Sequence, residues 1–300
     1  MINLELYRVF FFAAQEGSIS KAAQRLHITQ PSASLAVKQL EESLQTTLFH
    51  RSTRGVSLTN EGQTLFTYIE QAYELIMSAE SKMDEVASLN GGEVRIAASI
   101  SVIEHILLPH MKAFHRLYPD IKIKIEHHST HGCLKLLREG KIDFCVVRLP
   151  VRDEAFEETK LLSIQDCFVT GEKYKHLAEE AVSLKELAQY PLIVFPAHMT
   201  SRKAMDRFLA SHGIALAPSL EIGSLQLLVG FAQANLGISY VIGEFVAKEL
   251  AAGSLYKVKV EEPIPKVDLG IVRMKSFAMS AAAQRFLDLM NNTDEKEIIR

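Results

Sequence analysis

One stretch, Ser18 to Leu44, leaves the fewest ways to fold. Gly17 breaks the preceding chain, and Ser18 or Ser20 supplies an N-cap oxygen for a helix in which Ala22, Ala23 and Leu26 share one face. Two adjacent alanines let a second helix pack close. His27-Ile28-Thr29 forms the turn, with Ile28 plugging the space between the helices. Thr29 or Gln30 opens the second helix, and Pro31 sits in its first turn, where a missing N–H costs nothing. Ala33, Val37, Leu40 and Leu44 then recur as an apolar stripe. The opposite face carries Pro31, Ser34, Leu35, Lys38 and Gln39, with Gln30 and Ser32 near its N-terminal end. Arg51 and Arg54 follow in a loop. An ordinary helical hairpin accounts for the stripe but not for caps, close-packing alanines, plug and arginines in this order. The plan is that of a winged helix-turn-helix with its second helix in a DNA major groove. Gln and Ser read base edges or hold phosphates, Lys38 neutralises a phosphate, and the two arginines reach backbone or minor groove.

These residues, together with Leu48-Phe49-His50-Arg51 and Leu58-Thr59-Asn60-Glu61-Gly62, resemble the N-terminal signature of LysR-type transcriptional regulators. The resemblance implies an N-terminal, otherwise all-α winged helix-turn-helix with Ser20, Gln30, Pro31, Ser32, Ser34, Leu35, Lys38, Gln39, Arg51 and Arg54 toward double-stranded DNA. Two positions depart from it. Leu35 and Ala36 stand where the family often has a polar or basic residue, and Gln45 where it often has Gly. Leu35 is then left to meet a thymine methyl or to remain a loosely covered apolar residue.

Net charge is −3, unusual for a chain expected to bind DNA. Residues 1–60 nevertheless hold six basic against four acidic side chains, so the local field is positive but modest. That balance favours several heads per site over one tight head. The 300 residues suggest about two domains. No apolar run is long enough for a membrane span, and Met1-Ile-Asn-Leu-Glu-Leu6 lacks the basic and apolar regions of an export signal. Three cysteines without a Cys-x-x-Cys pair fit a reducing cytoplasm.

Residues 59–89 contain no Pro and, after Gly62, no Gly. Leu65, Ile69, Ala72, Ile76, Ala79, Met83 and Val86 alternate spacings of four and three, the a/d seam of a coiled coil. Such a seam must meet a second copy or the head itself. We expect domains at 1–62 (head), 63–90 (linker and dimerisation helix) and 91–300 (effector-binding), with Asn90-Gly91-Gly92 as a hinge. A homodimer through residues 63–89 would deliver two heads to a two-fold site.

After Glu93 the period changes. Strands near 94–98, 121–125 and 142–147 alternate with helices near 107–117 and 134–137, the pattern of a parallel doubly wound sheet. A second set has strands near 167–171, 192–195, 219–222 and 238–242 and helices near 201–212, 225–235 and 244–251. Residues 267–273 read as a strand returning to the first lobe and 279–290 as a closing helix. This resembles the two-lobed, periplasmic-binding-protein-like α/β sensor of the same regulators, with lobe I at about 91–163 and 267–300 and lobe II at about 164–266. Ligands of such sheets bind beyond the strands' carboxyl ends, where helix N-termini attract anions. Ser99, Ser101, Thr130, Arg148, Thr200 and Ser201 occupy those places. Each hydroxyl could equally cap its helix, and Arg148 could equally make an interlobe salt bridge.

His127, His128, His131 and Cys133 have metal-ligating chemistry, but a strand-to-helix junction splays adjacent side chains and no second cluster completes a site. No nucleophile elbow, phosphate loop or His-Glu-x-x-His is present, and Cys133, Cys145 and Cys167 lack activating partners, Cys145 lying inside an apolar strand. No cofactor, metal or catalytic residue is expected. The expectation is a cytoplasmic, metabolite-responsive DNA-binding regulator, by resemblance a homotetramer, whose effector alters DNA bending and RNA polymerase access. Its rivals are a solute-binding transport protein, an enzyme on the same lobes, or a winged-helix regulator of another family.

Overall fold

The computed structural model describes residues 3–52, 55–87, 92–215 and 217–292. It forms two compact units, Met1–Ser81 and Lys82–Arg300.

The first unit begins with a helix that the sequence reading passed over, α1 (Leu4–Glu16), capped by Asn3 and ended by Gly17 at φ 59°. Its buried Val9, Phe10, Phe11, Phe12 and Ala13 supply most of the aromatic core. Helix α2 (Ile19–Arg25) is capped by Ser18, whose side chain accepts from the Lys21 N–H. Helix α3 (Gln30–Leu44) is capped by Thr29, which accepts from the Ser32 N–H, and ends on Gln45 in the left-handed region at φ 51°. Gln45 thus takes a backbone conformation that glycine adopts most readily. Ala33, Val37 and Leu40 are fully buried, whereas Leu44 is 39% exposed and lies beyond the stripe assigned to it. The wing is an antiparallel hairpin of β1 (Phe49–Ser52) and β2 (Gly55–Leu58). Its start is fixed by Glu41, whose Oε1 accepts from the N–H groups of Leu48 (2.8 Å) and Phe49 (3.3 Å).

Helix α4 (Asn60–Ala87) leaves the wing. Its first half packs on its own head: Phe11 stacks on Phe66 (5.7 Å) and Tyr73 (4.7 Å), with Leu65 and Ile69 alongside. Beyond that contact Leu75, Ile76 and Met77 stay exposed within this chain. The seam residues Ala72 and Ala79 are exposed too, while the side chains of Met83 and Val86 and the expected hinge at Asn90-Gly91 lie outside the described residues.

The second unit opens with β3 (Glu93–Ala98), followed without a break by α5 (Ile100–Val102), a π-helical stretch Ile103–Leu107 and α6 (Leu108–Leu117). The helix expected from residue 107 therefore starts at Ile100. Then come β4 (Lys122–His127), α7 (Thr130–Arg138) and β5 (Phe144–Arg148), with β4 and β5 parallel to β3. The next strand, β6 (Phe156–Thr170), is fifteen residues long rather than the short strand expected at 167–171. After it follow α8 (Leu184–Leu187), β7 (Leu192–Val194), α9 (Thr200–Ser211), β8 (Leu220–Glu221), α10 (Leu225–Gln233), β9 (Ile238–Ile242), α11 (Ala247–Ala251), β10 (Tyr256–Lys257), β11 (Lys266–Met274) and α12 (Ala281–Asn291). The sheet order is β4-β3-β5-β11-β6-β9-β7-β8, with β10 on β6. Strand β11 pairs antiparallel with β6 along its whole length, from Lys266 opposite Gln165 to Met274 opposite Phe156, and the last five residues of β6 pair with β9. They join a parallel set at one end (β4, β3, β5) to another at the far end (β9, β7, β8).

The wing depends on a close approach at Gly55, whose φ is +132° and whose missing Cβ would sit 2.3 Å from the Gly17 carbonyl oxygen. Gly55→Ala is expected to destabilise the head by about 1–3 kcal/mol through backbone strain. Urea unfolding followed by a fluorophore on the head checks this, and an unchanged midpoint would contradict the packing.

Candidate functional site

In the first unit eight of the predicted DNA-facing residues lie on two elements, seven on α3 and Arg51 on β1 of the wing. Gln30, Pro31 and Ser32 are exposed at the start of α3, Ser34 is half-buried, and Lys38 and Gln39 are exposed one turn on. Leu35 is 55% exposed between them, so it is not held in the core. Ser32 Oγ lies 2.8 Å from Thr29 Oγ1, so this hydroxyl is partly engaged at the cap. Lys38 meets Glu42 at 3.6 Å with both side chains well exposed, a pair that contributes little and gives way readily. Arg51, on β1, is 3.8 Å from Glu41. Ser20 is exposed on α2. Arg54 lies outside the described residues. His50, exposed beside Arg51 on β1, was not singled out from sequence because a lone histidine there carries no pattern.

In the second unit the carboxyl ends of the parallel strands of both lobes open into one cavity of about 450 Å³. Ser99 and Ser101 follow β3, Thr130 follows β4, Arg148 ends β5, and Thr200 and Ser201 open α9 after β7; all six line it. Capping does not account for three of the hydroxyls. Ser99 makes no side-chain capping bond, Thr130 leaves the cap of α7 to Ser129, and Thr200 follows Met199 in the capping position of α9. Ser224, by contrast, does cap α10. The Thr200 hydroxyl donates to the Thr130 hydroxyl at 3.2 Å, joining the two lobes across the cavity. Gln226 Nε2 donates to Glu104 Oε1 at 2.7 Å, and the His105 ring stacks on Phe245 at 4.6 Å, so the lobes are also latched at the rim. Burial of His105 in this stack lowers its pKa, Glu104 only partly opposing the effect.

Two family descriptions match the chain: "Bacterial regulatory helix-turn-helix protein, lysR family" over residues 4–63 and "LysR substrate binding domain" over residues 87–294. The chain belongs to the LysR family of transcriptional regulators. It is 28% identical over 290 residues to a probable RuBisCO transcriptional regulator of Guillardia theta, covering 95% of this chain and 94% of that one. It is 27% identical over 292 residues to the HTH-type transcriptional regulator GltR of Bacillus subtilis, covering 97% of each. Among solved structures it is similar in fold to full-length CbnR complexed with its target DNA, with a TM-score of 0.62 at 18% identity over 96% of this chain and 99% of that one. Its relatives are regulators of transcription and not enzymes. Among the described residues no helix is long and apolar enough to cross a membrane.

The floor of the regulator's cavity holds a feature that the sequence left open. Arg148 Nη1 and Nη2 donate to Asp166 Oδ2 and Oδ1 at 2.8 and 2.7 Å, with the side chains only 10% and 4% exposed. Burial disfavours the guanidinium's charge, but the two hydrogen bonds and the charge of Asp166 outweigh it and raise the Arg148 pKa. Asp166 lies in the stretch of β6 that was not read as a strand, which is why its carboxylate was missed. Tyr240 and Phe245 were missed because an aromatic within an apolar run reads as core. Burial and the neighbouring Asp166 push the Tyr240 hydroxyl well above the usual tyrosine range.

His127 and His128 line the cavity with rings 6.3 Å apart, and His128 Nε2 is 3.0 Å from Glu126 Oε2. His131 is exposed. Among the described residues no three His, Cys, Asp or Glu side chains are grouped to hold a metal ion. The three cysteines are free and buried. Burial pushes the Cys167 thiol up to about 12, and the hydrogen bond that Cys145 donates to Cys133, together with burial, raises Cys145.

The Thr130–Thr200 contact carries a direct prediction. In a double-mutant cycle with Thr130→Val and Thr200→Val, the coupling energy for stability of the second unit is expected to be about 0.5–1.5 kcal/mol, the net worth of one hydrogen bond. Strict additivity would show that the two hydroxyls do not support each other.

Proposed function

We propose that this regulator reads operator DNA with the exposed face of α3 and the wing, and that a small organic acid or similar anion bound between the two lobes alters that binding. The observation that carries the effector part is the set of hydroxyls at Ser99, Thr130 and Thr200, which do no capping yet face one cavity beside the N-termini of α7 and α9. Free first-turn amides and the positive end of the helix dipole favour an anion there. On the DNA side, Gln30, Ser34 and Gln39 offer groups for base edges, Leu35 an apolar contact for a thymine methyl, and Lys38, Arg51 and Arg54 charge for phosphates. CbnR, similar in fold, is a LysR family regulator captured with its target DNA.

In this proposal residues 1–62 form the head, 63–90 the linker helix and 91–300 the effector domain. The linker pairs two copies through the exposed Leu75, Ile76 and Met77, and two such pairs assemble as a tetramer in the cytoplasm. Closure of the lobes on effector changes head spacing, and with it DNA bending and polymerase access.

The test is a gel shift and footprint on DNA upstream of the protein's own gene, with and without a panel of organic acids. A specific shift altered by one acid supports the proposal. Tight acid binding with no specific DNA complex would contradict it. Lys38→Ala is expected to weaken binding to all sequences and lower the salt slope by about one, while Gln30→Ala or Ser34→Ala relaxes sequence preference. Wild-type discrimination in all three variants would remove α3 from the groove. Ile76→Glu is expected to shift the chain toward monomer in sedimentation experiments, and an unchanged assembly would place pairing elsewhere.

A further inference from the structure

The cavity between the lobes has an unusual charge pattern for an anion site. Among its described lining residues Arg148 is the one permanent cation and Asp166 the one permanent anion, and two hydrogen bonds hold them together as a pair with no net charge. Both side chains are at least nine-tenths buried, so water does little to screen them. The arginine therefore offers a ligand N–H groups but no uncompensated positive charge unless Asp166 lets it go. Much of the remaining wall is apolar: Phe195, Leu225, Val241, Phe245 and Leu269, with the ring of Tyr240. What is left for a negative charge is the ring of hydroxyls, the N-termini of α7 and α9, and the imidazoles of His127, His128 and His198, which carry no charge when neutral. Each helix end is worth about half a positive charge, together enough for one carboxylate. A second carboxylate or a phosphate dianion would lose its water against aromatic rings or beside Asp166, a cost with no cation to offset it.

We infer that Asp166 is a specificity-determining residue that makes the cavity select a singly charged carboxylate with an apolar body and reject dianions. The inference rests on the cavity being the effector site. The carboxylate lies at the α7 and α9 ends among Thr130, Thr200 and Ser201, and the apolar body lies against Phe195 and Phe245. Asp166 acts through Arg148: it cancels a buried positive charge that would otherwise attract a second anionic group. A cavity of about 450 Å³ holds a body of benzoate or hexanoate size with room to spare.

Isothermal titration of the full-length protein at pH 8, where ordinary histidine is neutral, with two size-matched pairs tests this: 4-nitrobenzoate against terephthalate, and the monoamide of adipate against adipate. The wild type is expected to prefer the monoanion of each pair by about tenfold or more. Asp166→Asn frees Arg148 and is expected to improve dianion binding about tenfold relative to monoanion. The double variant Arg148→Gln, Asp166→Asn carries no net charge at the floor and is expected to return to the wild-type preference. If Asp166→Asn does not fold, the wild type and the double variant decide the matter. Dianions bound by the wild type as well as monoanions, an unchanged ratio in folded Asp166→Asn, or loss of the preference in the double variant would each overturn the inference while leaving the cavity as an acid-binding site. No binding of any of the four acids to any form would overturn this inference and the effector reading together.

Discussion

The antiparallel pairing of β6 with β11 is the constraint on which the effector domain depends. Each strand runs from one lobe into the other, and their register holds from one end to the other with a single shift between Leu269 and Gly270. Because the pair sits mid-sheet, β3, β4 and β5 on one side and β7, β8 and β9 on the other present their carboxyl ends to the same cavity. Gly270 permits this crossing: a Cβ there would sit 2.3 Å from Leu149 Cδ1 and 2.6 Å from the Thr159 carbonyl oxygen. Leu149 directly follows Arg148 and donates its N–H to the Asp268 carbonyl at 2.8 Å, so the crossing strands also fix where the cavity's guanidinium starts.

A buried ion pair at that crossing is weak evidence for stability, since desolvation consumes much of the attraction. Its consequence is local. The pair leaves no net charge at the floor of the cavity, whose other polar groups are hydroxyls, backbone amides and the imidazoles of His127, His128 and His198. Contacts across the rim, Thr200 to Thr130 and Gln226 to Glu104, are neutral or singly charged hydrogen bonds on the surface of the cleft. Bonds of that strength, about 1 kcal/mol each, can be exchanged for contacts to a ligand without a large barrier.

The head solves a different problem, burying enough surface in about sixty residues to hold two helices at a fixed angle. Phe10, Phe11 and Phe12 in α1 do this by packing in three directions: Phe10 on Phe49 of the wing, Phe11 on Phe66 and Tyr73 of α4, and Phe12 on Tyr73 and under the Arg25 guanidinium. Wing, α3 and α4 all pack into this one core. With part of the linker's apolar surface spent on the head, the seam read from sequence divides in two, a half that faces the core and a half around Ile76 that does not.

The sequence by itself determined the elements whose signals are local. The caps at Ser18 and Thr29, the proline in the first turn of α3, the buried positions Ala33, Val37 and Leu40, and most of the strand and helix centres after Glu93 follow from spacing and end signals within a few residues. The six hydroxyl and arginine positions at the cavity were legible for the same reason, since strand ends and helix starts can be located without knowing the fold. Only the tertiary structure decided what depends on distant partners. Helix α1 was hidden because three consecutive phenylalanines show no helical period until other elements cover every side. The length of β6 was hidden because Glu157, Glu158, Thr159 and Lys160 show no apolar alternation and are held as strand by pairing with β11. Whether Arg148 is a free anion ligand or one half of a neutral pair turns on a carboxylate eighteen residues away. That meeting is set by which strands lie side by side, and local spacing carries no record of it.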